Sequence, residues 1–177
     1  MAVAVEAILA AMLSLPQYHG DRYADTAEQR ADLYRPVAQA IAAVSRSRAE
    51  AAALVALGYH ETAFARYVLD GHCEQGPVGA RCDGGRARGA WQVWAWCRPL
   101  WAGPENAPGR HLAGARCAAG LLRSSRAACA RVCRQTGSGC AAHKAMFSGY
   151  AGRGCEWPRA AVRVQTMSRI EGVLRGR

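Results

Sequence analysis

Eight cysteines constrain this chain more than any other feature: Cys73, Cys82, Cys97, Cys117, Cys129, Cys133, Cys140 and Cys155 all lie beyond residue 72. Their number is even and high for the length, which favours four disulfides and an oxidising compartment. Connectivity cannot be read from spacing alone, although Cys73 with Cys82 and Cys133 with Cys140 suit local loops. The rival use of these residues is a metal site at Cys129, Cys133, Cys140 and His143, but that spacing fits no zinc signature. Neither a metal nor a cofactor is expected.

A length of 177 residues with 51% hydrophobic content suits one domain with a real core. Residues 1–48 read as N-terminal helices, 49–156 as the functional core and 157–177 as a C-terminal helix. The formal net charge is +10, carried almost wholly by arginine, with Lys144 the only lysine. Such an excess points to an anionic partner: nucleic acid, a membrane surface or a cell-wall polymer. The arginines are spread out, and no interleaving of aromatic and basic residues marks a specific nucleic-acid surface. The first sixteen residues lack a basic start and carry Glu6, so they read as a first helix rather than an export signal, and they are too short to span a membrane. The expectation is a periplasmic, extracellular or phage-virion-associated protein, exported by a signal outside this sequence or released by lysis.

The first third is helical in pattern. Thr26 and Gln29 suit a capping box, followed by the stripe Leu33, Val37, Ala40, Ile41 and Val44, with a kink or fresh start at Pro36. Ser47 and Glu50 form a second capping box. Residues 70–90 are rich in turn signals and read as a small irregular hairpin or loop held by cysteines. The prolines at 99, 104 and 108 mark a loop. A long helix is expected over 112–134, a break at 137–139, a short helix over 141–147, and a final amphipathic helix after Pro158.

Within the helix opened by Ser47, Leu54, Leu57, Gly58 and Glu61 fall on one face. A carboxylate that continues an apolar stripe is partly buried, and burial favours its protonated form. A protonated carboxylic acid can supply a proton to a glycosidic oxygen. The competing explanation is an ion-paired or surface Glu at a helix end.

Three segments follow in order: Glu61 near a helix end, Gly89-Ala90-Trp91-Gln92-Val93, and Tyr150-Ala151-Gly152 after a short helix. Together they resemble the lysozyme-like superfamily, specifically the soluble lytic transglycosylases and goose-type lysozymes, over about residues 49–156. Gly89, Gln92 and Val93 match the middle motif, and Tyr150, Ala151 and Gly152 approximate the last. Thr62 stands where the family usually has Ser, Trp91 replaces a Met, the gap between Glu61 and Gly89 is long, and the Asn of the last motif is missing.

The resemblance implies a mainly α (α+β) fold: a helical domain with a small irregular hairpin beside the cleft, stapled by disulfides. It implies a peptidoglycan substrate, cut at the β-1,4 bond between N-acetylmuramic acid and N-acetylglucosamine, with Glu61 as general acid and base. A hydrolase needs a second carboxylate, held roughly 6.5–9.5 Å away in inverting enzymes. Asp70, Glu74 and Asp83 are available, Asp83 being nearest the Gly89 segment. Gln92, Tyr150, Trp91 and Gly89 are the candidate substrate-binding residues. Gln92 could equally bond the backbone at a tight corner, and Tyr150 could be core. Of Trp91, Trp94, Trp96 and Trp101, at least two are expected in the core. Expected partners are glycan strands, anionic envelope polymers, and an envelope machine or phage particle. The alternatives are a catalytically degenerate wall-binding or structural protein on the same fold, and a cationic nucleic-acid-binding or zinc protein.

Overall fold

The structure is a computed structural model that describes residues 3–16, 25–72, 82–104, 107–136 and 141–176, without the side chains of residues 83 and 84. It is mainly helical with one two-stranded sheet. Helix α1 (Val5–Leu13) packs against α2 (Ala27–Val44), and both pack against α3 (Arg48–Thr62). The last helix, α9 (Ala160–Leu174), lies along α3 and also touches α1. The longest helix, α7 (Arg110–Thr136), packs against α2 and α3 and forms a pair with α8 (Ala142–Tyr150).

Helix α3 is central, packed by α1, α2, α7 and α9. Residues Ala51 through Gly58 are all buried, the mark of a helix that is apolar all round. Ser47 caps it by accepting the Glu50 N–H at 3.2 Å. The capping box expected there is only half made. Glu50 turns its carboxylate to the Arg46 N–H at 2.6 Å and to Arg123 Nε of α7 at 2.5 Å. The Thr26–Gln29 box is complete in both directions. Helix α2 runs unbroken through Pro36. The carbonyl that loses its donor there belongs to Asp32, which is exposed like Pro36, so water can satisfy it.

Between α3 and α7 the elements are short: α4 (Arg66–Leu69), α5 (Cys82–Gly85), β1 (Ala87–Arg88), β2 (Val93–Trp94) and α6 (Arg98–Trp101). The strands are antiparallel, with Ala87 opposite Trp94 and Arg88 opposite Val93. The hairpin expected over residues 70–90 is displaced: its strands begin only at Ala87 and reach Trp94, and residues 73–81 lie outside the described residues. Disulfides join Cys97 to Cys117 and Cys129 to Cys155. They tie the segment before α6 to α7, and α7 to the segment after α8. Cys82 and Cys133 are also disulfide-bonded; the partners expected for them, Cys73 and Cys140, lie outside the described residues. Oxidised Cys129 and Cys133 are not thiolates, which removes the zinc reading built on them. No helix among the described residues is long and apolar enough to cross a membrane.

Candidate functional site

Glu61 sits in the last turn of α3, where the backbone turns sharply. Ala63 and Phe64 follow with φ of 48° and 55°, both left-handed. Such residues cost on the order of 1–3 kcal/mol each and persist only where their surroundings hold them. Here the turn folds the buried Phe64 ring back over Gly58. A Cβ at Gly58 would meet Phe64 Cε1 at 2.6 Å, so only glycine fits. Thr62 Oγ1 lies 3.0 Å from the Gly58 carbonyl and 3.1 Å from the Ala90 carbonyl, sharing its proton, and accepts the Phe64 N–H at 3.2 Å. The hydroxyl of Thr62 therefore joins the end of α3 to the hairpin loop.

That loop, residues 89–92, is held from three sides. Gly89 has φ of 68° and Gln92 a left-handed φ of 47°. Trp91 points into the core, 1% exposed, and its Nε1 donates to the Leu54 carbonyl at 2.9 Å. Tyr150, at the end of α8, donates its hydroxyl to the Trp91 carbonyl at 2.5 Å. The two neighbouring carbonyls of Ala90 and Trp91 are thus caught by Thr62 and Tyr150, which brings three distant segments together.

They meet at a cleft of about 390 Å³ lined by Glu61, Gln92, Trp94, Trp96, Leu121, Tyr150, Ala151, Gly152 and Arg163. Trp94 and Trp96 are 46% and 52% exposed, which is high for their size. A larger apolar concavity of about 840 Å³, between the end of α7 and residues 153–157, abuts Thr136, where the described residues stop.

The expected residues separate into groups. Glu61, Gln92 and Tyr150 share the cleft. Trp91 does not: it is a core residue whose ring also lies against Gly114, because the loop turns it inward. Gly89 shapes the turn, and its carbonyl accepts the Gln92 side-chain amide at 3.1 Å and backbone N–H at 3.0 Å. Gln92 therefore braces the corner and lines the cleft at once. Asp70 is not in the lining; it caps α4 and stands 4.0 Å from Arg66. Asp83 lies in α5, but its side chain is outside the described part, as is all of Glu74. Trp101 is half-buried, under the Arg88 guanidinium at 4.1 Å from its ring centroid.

Residue patterns did not single out Arg163. Its Nη1 lies 2.7 Å from Glu61 Oε1, with side chains only 13% and 22% exposed. Nη1 is buried in charge contact and has no hydrogen-bond partner among the described residues. A signal for it did exist. Ala160, Val164, Met167, Ile170 and Leu174 form the inward stripe of α9, and Arg163 interrupts that stripe as Glu61 interrupts the stripe of α3. An opposite charge at this distance favours the ionised carboxylate, and so opposes what burial of Glu61 would do alone.

Neighbouring groups register this field. Burial pushes the Tyr150 hydroxyl far above its ordinary value, the Glu61 charge pushes it further, and Arg163 opposes both. Tyr150 stays a protonated donor. His60 is held below its usual value by burial first and by Arg163 second, against a backbone bond at Val162. Its Nε2 lies 2.8 Å from Thr166 Oγ1, so it fastens α3 to α9 rather than serving the cleft. No family model matches the chain, and no curated protein or solved structure matches it significantly.

Proposed function

We propose that this protein is a peptidoglycan-cleaving enzyme with a lysozyme-like fold, a muramidase or lytic transglycosylase that cuts the β-1,4 bond after N-acetylmuramic acid. The observation that carries the reading is the meeting of Glu61, Gln92 and Tyr150 in one cleft flanked by exposed Trp94 and Trp96. Aromatic faces of this kind suit the apolar faces of sugar rings. Glu61 protonates the leaving oxygen and then acts as base, either for water or for the sugar's own 6-hydroxyl, which leaves a 1,6-anhydro end. Left-handed backbone at Ala63, Phe64 and Gln92 supports a functional role, since strain of this kind collects at sites. The net charge of +10 supports attraction to anionic envelope polymers that weakens with salt. The disulfides support an oxidising setting, periplasmic, extracellular or on a phage particle.

A second reading is favoured by one observation, the Glu61–Arg163 ion pair. An ionised Glu61 cannot donate a proton, and a cleft frozen in that state binds glycan without cutting it. Digestion of purified peptidoglycan by wild type and Glu61→Gln, with mass spectrometry of the released fragments, separates the two. The enzyme reading expects release by wild type and a fall of about 10²–10⁴-fold in the variant. Anhydro ends identify a transglycosylase and reducing ends a hydrolase. Binding without release by the wild type establishes the second reading.

A further inference from the structure

Resting on the peptidoglycan reading above, we propose that Arg163 is the carboxylate-recognising residue of the cleft, taking the lactyl carboxylate of a muramyl sugar and so selecting acidic over neutral amino-sugar strands. Its guanidinium lines the cleft and carries five donors in a rigid fork, and its buried Nη1 makes no hydrogen bond to any described residue. A buried donor with no hydrogen-bond partner is costly to leave so. The planar fork matches a carboxylate in bidentate geometry, which the Nη1 contact with Glu61 does not supply.

Two features hold the group in place for a ligand. Trp157 sits beneath it, with the guanidinium carbon 5.5 Å from the ring centroid. The His60–Thr166 contact locks α9 to α3 one turn away. Trp94 and Trp96 lie on the same cleft, so a sugar stacked there can present a ring substituent to Arg163. Glu61 then acts as an internal stand-in for the ligand carboxylate. Arrival of the acidic sugar draws Arg163 into directed bonds and away from its contact with Glu61. The muramyl group thereby prepares the residue that cleaves beside it. A neutral strand leaves the ion pair intact.

Calorimetric binding decides this without depending on turnover. The probes are the N-acetylglucosamine–N-acetylmuramic acid tetrasaccharide, its lactyl methyl esters and neutral chitotetraose, each titrated into wild type, Glu61→Gln and Glu61→Gln/Arg163→Met. The proposal expects Glu61→Gln to bind the acid tighter than wild type does, because the internal competitor is gone. It expects Arg163→Met to remove about tenfold of the affinity for the acid and to leave the ester and chitotetraose unchanged. Equal affinity of Glu61→Gln for acid and ester overturns it, as does a preference that survives Arg163→Met. If that variant loses chitotetraose as well, Arg163→Lys in the Glu61→Gln background decides: a surviving preference for the acid, weakened by loss of the fork, supports the proposal, and a lost preference overturns it. Failure of the broader reading looks different, since a protein that is not a glycan binder takes up none of the three probes in any variant.

Discussion

The two parts of this molecule are held together by different means. Helices α1, α2 and α3 contain no cysteine and share a continuous apolar core with α9, in which Ile8, Met12, Ile41, Leu54, Leu57 and Ile170 are fully buried. The hairpin, α6 and the segment after α8 bury little of their own, and the disulfides tie them to α7. A strand of two residues has too few ladder bonds and too little apolar face to be stable alone. Crosslinks supply what burial cannot, largely by restricting the unfolded chain. The cleft lies at the seam. Glu61 and Arg163 come from the cysteine-free part, while Gln92, Trp94, Trp96 and Tyr150 come from the stapled part.

The largest perturbation expected is Trp91→Ala, because Trp91 belongs to both parts. It should cost about 3–5 kcal/mol in denaturant unfolding, losing the bond to Leu54 as well as the packing. Survival with a near-native midpoint would mean that the hairpin loop is not keyed into α3.

Reduction of the disulfides should cost about 2–4 kcal/mol for each of the Cys97–Cys117 and Cys129–Cys155 bonds. The loss should be local. Hydrogen exchange should speed up in residues 87–101 and 151–155, while α1 and α3 keep their protection. Simultaneous loss in α3 would break the contrast between the two parts.

A third test uses pH. Burial, with a smaller contribution from the Arg110 charge, lowers the His111 imidazole to about 4. The folded state therefore holds it neutral, whereas the unfolded chain protonates it near 6.5. Its contribution is complete above pH 6.5 and is lost as pH falls from 6.5 to about 4, by up to roughly 3 kcal/mol. His111→Gln should flatten that slope in denaturation measured across the window.

Gly149→Ala should cost about 1–3 kcal/mol, since an added Cβ would stand 2.5 Å from Ser125 Cβ where α8 crosses α7. Ser125→Gly in the same chain should recover part of the loss, which a double-mutant cycle measures. The smallest effect is Ser47→Ala, about 1 kcal/mol from the lost cap of α3. It should be felt mainly in the helical part.

Legibility in the sequence follows the same seam. The helices of the first third, the Thr26 cap, the hairpin region and the long α7 could all be read from periodicity and turn chemistry, because they are set by neighbours within a few residues. Glu61 could be read as a charge interrupting an apolar stripe. Arg163 interrupts its own stripe in the same way, yet the rule gives no partner, and the two lie about a hundred positions apart. Trp91 reads as a cleft residue because its neighbours in sequence, Gln92 and Trp94, do face the cleft. A left-handed turn at Gln92 sends the loop's largest side chain inward instead, and local pattern carries no sign of that.

Composition and spacing alone determined a largely helical chain, a cationic excess, cysteines gathered beyond residue 72, and an apolar stripe ending at Glu61. Each is a sum over many residues or a period along one element, so a single distant contact changes it little. Tertiary structure decided which tryptophans are buried, that Thr62 and Tyr150 clasp adjacent carbonyls of one loop, and that the charge facing Glu61 is Arg163. These depend on how separate elements cross, and a crossing is set by the packing of whole helices, not by any residue's neighbours in the chain.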